Sequence, residues 1–103
     1  FQQENDREAV SELAHALYLL PYLADAHLLL GRIHLRNGRV TQAVDALKIS
    51  IWSAETAEAH VVLAEAYRRS KDLDAARAEA ERALALDASS AEAKRLLDVL
   101  KSP

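Results

Sequence analysis

The sequence predicts an all-α protein whose helices stack side by side, and three observations support this fold class. Only two Gly and two Pro occur among 103 residues, which leaves little turn chemistry for the many reversals of a β-sandwich. Half of the residues are hydrophobic and 28% are charged, a balance typical of a folded domain. A pattern of side-chain sizes also recurs after 33 positions, as packed helix pairs require. We therefore expect one small helical domain.

The period of the apolar residues indicates where the helices lie. In residues 41–54 apolar and small residues fall on one stripe of a 3.6-residue helix, and Gln42, Asp45 and Lys48 occupy the opposite face. Residues 6–20 and 76–87 have the same stripe. Six helices are predicted, at about 6–20, 23–37, 40–54, 57–70, 73–87 and 90–101. Turns of two or three residues should join them as antiparallel neighbours.

Two turn signals mark the ends of the first two helices. Pro21 has no N–H to donate and its ring clashes with the preceding turn, so the first helix should stop there. The pair Asn37-Gly38 is a turn signal, because Gly38 adopts φ > 0 without strain after a helix C-terminus.

Three later helices are preceded by residues that suit an N-cap. The side chains of Thr56 and Asp72 can each accept a backbone N–H of the first helical turn. Ser89, with Glu92 three residues later, has the spacing of a capping box. These positions predict the starts of the fourth, fifth and sixth helices.

The stretches AHLLLGRIHLRNG and AHVVLAEAYRRSK, which lie 33 residues apart, keep the sizes of side chains while most letters change. Small residues at Gly31 and Ala64, and at Ala43 and Ala76, let two antiparallel helices approach closely, and larger residues fill the space between them. The offset pairs His27 with His60, Leu30 with Leu63, Gly31 with Ala64, His34 with Tyr67, Ala43 with Ala76, Leu47 with Ala80 and Ser50 with Ala83.

These positions resemble the tetratricopeptide repeat, a helix–turn–helix unit of about 34 residues with the pattern W-x-x-L-G-x-x-Y, then A-x-x-x-F, then P. The chain departs from it with His at the Trp position, with Lys71 at a turn Gly, and with Glu55 and Ala88 where Pro is common. The matching residues are His27, Leu30, Gly31, His34, Ala43 and Leu47, then His60, Leu63, Ala64, Tyr67, Ala76 and Ala80, and, from an earlier repeat, Ala9, Leu13, Ala16 and Pro21.

The resemblance implies a right-handed α-solenoid of about two and a half repeats with a C-terminal capping helix. Residues 1–22 would supply the second helix of a truncated first repeat, with residues 1–4 as the end of its upstream helix. Residues 23–56 and 57–90 would be complete repeats. Residues 91–103 would form the capping helix, whose outer side should be polar. Its apolar stripe is Ala93, Leu96, Leu97 and Leu100, opposite Lys94, Asp98 and Lys101.

Composition and motifs argue against several classes of function. No phosphate-binding glycine motif occurs, the net charge of −3 lacks the basic excess of a general nucleic-acid binder, and no apolar run suits a membrane span. Without Cys the chain has neither disulfides nor thiolate metal sites, which leaves its compartment open, with a soluble cytoplasmic protein as the working expectation. We expect no cofactor and no membrane insertion.

The four histidines, His15, His27, His34 and His60, do not predict a metal or catalytic site. His27 and His34 are seven residues apart, about 10 Å along a helix axis, whereas ligands of one ion lie near 2 Å from it. His27 and His60 occupy equivalent positions in successive repeats and should fill aromatic positions of the packing pattern. No HExxH motif occurs. We therefore predict no metal and no catalytic residue.

The resemblance further implies a concave groove, lined by the first helix of each repeat, that binds a peptide or a partner protein. Arginines beside Leu and Val would suit a peptide with apolar anchors and carboxylates, because Arg forms bidentate hydrogen bonds with carboxylates. The groove residues would be Asp25, Leu28, Leu29, Arg32, Leu35, Arg36, Glu58, Val61, Val62, Glu65, Arg68, Arg69 and Arg95.

The same residues allow a plainer interpretation, in which the arginines pair with Glu58, Glu65 or Asp25 and Leu28 and Val61 are buried between repeats. The subfamily that binds chaperone C-terminal carboxylates uses Lys and Asn at set groove positions. The chain has Leu28, Arg32 and Val62 there, so that ligand is not expected.

A second surface is predicted on the convex side, where Tyr18 and Trp52 take equivalent positions and His15 and Ile49 lie one turn earlier. Exposed Trp and Tyr suit a protein interface, although Trp52 could instead cover its helix end and Tyr18 the following turn. The function expected is a non-catalytic scaffold or adaptor that binds protein. Two alternatives are self-assembly through this ridge or an open N-terminal face, and an accessory domain of a larger enzyme.

Overall fold

The computed structural model describes residues 2–19 and 23–101, and for residues 2–4 and 15–19 it describes the backbone alone. The secondary structure of this part of the chain is entirely helical, which confirms the all-α prediction. The helices are α1 (Gln2–Leu19), α2 (Ala24–Arg36), α3 (Val40–Ser53), α4 (Ala57–Arg69), α5 (Leu73–Leu86) and α6 (Ala91–Lys101). Each predicted boundary of α2 to α6 lies within one residue of the observed one.

Helix α1 begins earlier than the sequence predicted. A single helix starts at Gln2, so the expectation that residues 1–4 belong to a separate upstream helix is wrong for residues 2–4. Gln and Glu are good helix formers and neither Gly nor Pro interrupts this stretch, so nothing separates it from the following turns. The helix ends at Leu19, and Pro21 lies outside the described residues.

Successive helices pack as hairpins that stack in a row. Helix α2 packs on α3 and α4 packs on α5, while contacts of α3 with α4 and of α5 with α6 join each unit to the next. Helix α4 also contacts α2 on one side and α6 on the other, so these three helices share one face of the stack. The result is an elongated solenoid, with extents of 40 × 28 × 20 Å over the described residues.

Small residues at the predicted positions bring the helices of each hairpin together. A Cβ added to Gly31 would lie 2.6 Å from Leu47 Cγ, so α2 and α3 touch through this glycine. Ala43 and Ala76 are fully buried. Two apolar clusters result: Leu35, Ala43, Leu47, Val62, Leu63 and Ala66 in the first, and Ala64, Ala76, Ala80, Leu96, Leu97 and Leu100 in the second.

The C-termini of α2 and α4 close with the same backbone motif. The N–H of Arg39 donates to the carbonyl of His34 at 2.8 Å, and that of Asp72 donates to Tyr67 at 3.0 Å. This closure requires a left-handed residue, which is Gly38 with φ 77° in one turn and Lys71 with φ 66° in the other. The prediction for Gly38 is confirmed.

The predicted N-caps are correct at two helices and wrong at the third. Thr56 Oγ1 accepts the N–H of Ala59 at 3.1 Å, and Asp72 caps α5 through Ala75 in the same way. Before α6, however, Ser90 Oγ accepts the N–H of Ala93. Ser89 cannot serve as the cap because its hydroxyl and N–H both donate to Asp87 Oδ1, which lowers the pKa of Asp87.

Candidate binding groove

The face shared by α2, α4 and α6 contains two adjoining hollows. The first lies between α2 and α4 and has a volume of about 390 Å³. The second lies between α4 and α6 and has a volume of about 410 Å³. Val61 and Glu65 of α4 line both, so the two hollows form one groove across three helices.

The lining of the groove combines apolar side chains with charged ones. Around the first hollow lie Arg32, Leu35, Arg36, Val61, Val62, Glu65 and Arg69. Around the second lie Val61, Glu65, Arg68, Glu92, Arg95, Leu96 and Val99.

Four residues assigned to the groove from the sequence do not line either hollow. Asp25 and Leu29 are exposed on α2, and Glu58 is exposed at the start of α4. Leu28 packs against the first apolar cluster. Two further residues, Leu35 and Val62, line the first hollow but are themselves buried members of that cluster, so only part of their surface faces the groove.

Three residues of the second hollow, Glu92, Leu96 and Val99, are not in the set predicted from the sequence, which takes only Arg95 from α6. A signal for them exists in the sequence. Leu96 continues the 33-residue series of Leu30 and Leu63, which marks α6 as the next inner helix. The predicted apolar stripe of α6 is buried, but Val99 lies outside it and is 51% exposed.

The arginines of the first hollow are held by groups of the protein itself. Arg36 binds both carboxylate oxygens of Asp6, through Nε at 3.0 Å and through Nη2, and the side-chain amide of Asn37 donates to the same carboxylate at 3.0 Å. Arg32 pairs with Glu58 across the α2–α4 junction. These bonds tie α1 to α2 and α2 to α4, so they act as structural contacts between helices.

Helix α4 has its own charged cluster. Arg68 binds both oxygens of Glu65, at 2.9 Å and 2.6 Å, and Arg69 also reaches Glu65. Arg69 Nη1 donates to the backbone carbonyl of Leu35 at 3.0 Å, which fastens α4 to the end of α2.

Arg36 and Arg68 lower the pKa of the carboxylates that they bind. The hydrogen bond from Arg36 is the main reason that the pKa of Asp6 lies below its ordinary 3.8, with burial opposing it and Asn37 assisting. The hydrogen bond from Arg68 likewise holds the pKa of Glu65 below 4.5. The same pairing raises the pKa of Arg68. Both carboxylates are therefore ionised at neutral pH.

Arg95 differs from the other groove arginines. It is exposed on α6 at the edge of the second hollow, and it makes no hydrogen bond or ion pair with the residues whose side chains the structure describes, 5–14 and 23–101. Its guanidinium can therefore meet a carboxylate from outside without first leaving one inside the protein.

His60 forms a polar bridge on the side of α4 away from the groove. It is 3% exposed, its Nδ1 lies 2.6 Å from a Glu79 oxygen, and its Nε2 lies 2.7 Å from a Glu55 oxygen. Arg82 binds the other oxygen of Glu79. The bridge connects the α3–α4 turn, α4 and α5 beside a hollow of about 270 Å³.

His27 and His34 lie within helix α2 and are at least partly buried. His27 is buried in α2. His34 is half-buried and its Nδ1 accepts a hydrogen bond from Arg39 Nε at 2.9 Å. Burial, with the nearby charge of Arg39, lowers the pKa of His34. The side chain of His15 lies outside the described part.

The convex ridge is described only in part. Trp52 is 74% exposed and Ile49 is also exposed, while the side chains of His15 and Tyr18 are outside the described residues. The prediction that Trp52 faces outward agrees with this exposure, and the ridge as a whole stays a prediction.

Neither a metal cluster nor a membrane span occurs within the described residues. Their His, Asp and Glu side chains form no group of three that could hold a metal ion. None of the helices in this part of the chain combines the length and apolar character needed to cross a bilayer.

Comparison with protein-family models gives two matches, both described as tetratricopeptide repeat, at residues 2–51 and 57–90. The chain belongs to the tetratricopeptide repeat family. A search of curated proteins finds no match.

Solved structures with the same fold include several tetratricopeptide repeat proteins. TTC0263, a thermophilic TPR protein of Thermus thermophilus, is 26% identical, with a TM-score of 0.86 over 95% of this chain and 50% of its own. The Arabidopsis OM64 TPR domain is 18% identical, with a TM-score of 0.90 over 97% and 84% of the two chains. The first TPR of Spaghetti (RPAP3), solved with the HSP90 peptide SRMEEVD, is 19% identical, with a TM-score of 0.90 over 97% and 80%. This chain therefore spans half the length of the Thermus protein and most of the other two.

Proposed function

We propose that this tetratricopeptide repeat chain is a non-catalytic adaptor that binds a segment of a partner protein along the groove of α2, α4 and α6. Its family and its structural likeness to TPR domains mark it as a protein–protein interaction module. The observation that carries the groove proposal is that two hollows meet at Val61 and Glu65, which gives a continuous track for an extended peptide.

The chemistry of the track supports a protein ligand. Apolar surface at its base and charged groups at its rim match the arrangement found at many interfaces, where an apolar centre is surrounded by polar contacts. Hollows of about 400 Å³ each suit one or two side chains, and their volumes fall at the lower end of those of ligand pockets.

The ligand class of the RPAP3 domain is not carried over. At the positions where chaperone-binding relatives use Lys and Asn, this chain has Leu28 packed on the core, Arg32 paired with Glu58, and Val62 buried. We therefore propose a different peptide for this groove.

The repeat division proposed from the sequence is residues 1–22, 23–56, 57–90 and 91–103. A family match that spans residues 57–90 supports the third of these units. In this division α6 occupies the place of a further first helix, which is why it can contribute a wall of the groove.

The test uses capture from a lysate of the source organism, quantified by mass spectrometry, with two matched variants. Val61→Glu places a charge where the hollows meet, and Leu86→Glu places the same charge on an exposed apolar residue of α5 outside the groove. The recovered amount of proteins that bind the groove should fall at least about tenfold with Val61→Glu and should be unchanged with Leu86→Glu.

Circular dichroism of both variants should match that of the original chain, which separates lost binding from lost folding. Equal recovery with both correctly folded variants would contradict the proposed groove.

A second candidate function is self-association through the convex side, favoured by the exposure of Trp52. Sedimentation of the 103-residue chain over a range of concentrations tests it. Association that weakens with Trp52→Ala supports this function, and a monomer at every concentration contradicts it.

A further inference from the structure

We propose that the α4–α6 half of the groove selects the ligand, and that it takes a peptide in which an apolar side chain adjoins a single Asp or Glu. This inference rests on the proposed function and specifies which half of the groove acts and what chemistry it recognises. Arg95 would bind the carboxylate, while Val61, Leu96 and Val99 would receive the apolar side chain.

The α2–α4 half is less suited to an incoming carboxylate because its arginines are engaged. Arg36 is held by Asp6, which is only 4% exposed and would be left as a buried charge if Arg36 moved to a ligand. Arg32 and Arg69 bridge α2 and α4 through Glu58 and the Leu35 carbonyl. A ligand that recruited these arginines would have to break contacts between helices, which opposes binding.

Among the residues whose side chains the structure describes, no carboxylate or carbonyl group binds Arg95. Its neighbour in the hollow, Arg68, is already bound by both oxygens of Glu65. A planar guanidinium with its donors available forms paired hydrogen bonds with a carboxylate, and a partly enclosed site strengthens them. The charge that the ligand must supply at this position is therefore negative.

An apolar surface lies next to Arg95. Val99 lies one turn further along α6 and is 51% exposed. Burial of this apolar side chain by a ligand would therefore be favourable. Leu96 and half-buried Val61 continue this surface toward the centre of the groove. A ligand side chain that covers Val99 buries apolar surface of both molecules away from water. The adjacent residue of the peptide then lies beside Arg95.

The acidic groups of the hollow limit how much negative charge the ligand can carry. Glu65 and Glu92 both line it, and Glu65 is kept ionised by Arg68. A run of acidic residues would bring like charges together, whereas one carboxylate directed to Arg95 avoids them. The site should therefore prefer an isolated acidic residue over an acid-rich tail.

The test is selection of random nonapeptides, by display, on the 103-residue chain and on two variants. Arg95→Ala removes the proposed carboxylate contact. Arg77→Ala is the matched control, because Arg77 is an exposed arginine of α5 outside the groove that reaches only Asp74 at 3.8 Å among the described residues. Peptides selected on the original chain and on Arg77→Ala should be enriched in an apolar residue next to one Asp or Glu.

Selection on Arg95→Ala should keep the apolar residue and lose the acidic one. A peptide selected on the original chain should bind Arg95→Ala about tenfold more weakly, and Arg95→Lys should give an intermediate loss because it keeps charge without paired donors. Unchanged affinity for Arg95→Ala, or pools without acidic enrichment, would overturn the inference.

Methyl NMR of the complex then locates the peptide. Shifts at Leu96 and Val99 support the inference, while shifts confined to Leu35 and Val62 would overturn it and leave the proposed groove function intact. A pool with no enrichment on the original chain would count against the groove function itself, so the two failures are distinguishable.

Discussion

The hairpins α2–α3 and α4–α5 share a backbone plan but fill their interiors differently. In the first, Gly31 leaves room for the large side chain of Leu47. In the second, the equivalent residues are Ala64 and Ala80, both fully buried, and leucines of α6 pack over them. The space at the helix crossing is thus filled by Leu47 in the first hairpin and with the help of α6 leucines in the second, which shows that the repeat tolerates different side chains where the core stays packed.

The two hairpins also differ in their polar contacts. Thr56 and Asp72 cap the helices of the second, whereas Leu23 and Arg39 stand at the N-caps of the first and form no side-chain cap. Ala46 occupies the position that corresponds to Glu79, so the first hairpin has no counterpart of the Glu79 contact to His60. The first hairpin depends more on apolar packing, and the second adds caps and a buried polar bridge.

The largest effect on stability is expected for substitutions of Gly31 and Leu47, the pair that differs most between the two hairpins. Leu47→Ala should lower the free energy of unfolding by about 2–5 kcal/mol because it leaves a cavity in the core. Gly31→Ala should cost about 1–3 kcal/mol because its Cβ meets Leu47. The double variant reproduces the Ala/Ala pair of the second hairpin, and its cost should be less than the sum of the two by about 1 kcal/mol.

Urea unfolding followed by circular dichroism measures all three variants. If the free-energy changes of the two single variants simply added up in the double variant, the side chains at positions 31 and 47 would not be coupled through their contact, and this account would be wrong.

A smaller effect is expected when the polar bridge of the second hairpin is removed. Glu79→Ala should lower the free energy of unfolding by about 1–3 kcal/mol, because buried His60 loses one of its two carboxylate partners. Glu81→Ala, on the exposed side of the same helix, is the control and should change it by less than about 0.5 kcal/mol. Equal effects of the two substitutions would show that the bridge adds nothing to stability.

Substitutions at the two left-handed turn residues, Gly38 and Lys71, should change stability by a smaller amount. Gly38→Ala should cost about 1 kcal/mol because a Cβ disfavours φ near 77°. Lys71→Gly should raise stability by up to about 1 kcal/mol, since it relieves the same strain but gives the unfolded chain more freedom. Thermal unfolding of both variants measures the shifts, and a loss of stability with Lys71→Gly would contradict this account.

The join between α1 and α2 lies outside both hairpins and should respond to acid. Because Arg36 lowers the pKa of Asp6 in the folded chain, this carboxylate contributes stability that is complete above about pH 5. The contribution falls as the pH drops through 3.8 and is lost below the folded pKa. Asp6→Asn should therefore flatten the dependence of the melting temperature on pH in this range.

Glu8→Gln, an exposed change on the same helix, is the control for loss of one carboxylate. The account would be wrong if both variants flattened the profile equally.

Much of the fold could be predicted because its signals are local. The stripe in α3, the caps at Thr56 and Asp72 and the left-handed Gly38 each depend on residues a few positions apart, so sequence spacing describes them well. The error at Ser89 has a local cause too, since Asp87 competes for its hydroxyl and shifts the cap by one residue.

The groove was predicted less completely because the pairing of its charged side chains depends on residues that are distant in the sequence. The resemblance to the family could assign Arg32, Arg36 and Arg69 to the inner face, but nothing near them in the chain indicates that Arg36 meets Asp6, thirty positions away. The same limit applies to Val99, whose exposure follows from how α6 packs on α4 and α5.

By itself, the sequence determined the helices, their order and the small residues that let them touch, since these follow from backbone preferences and from volumes repeated at a fixed interval. Only the tertiary structure decided which arginines are occupied and that, within the described part of the chain, Arg95 is not. Charged side chains are long and find partners wherever packing brings them within reach, so their pairing is a property of the assembled stack.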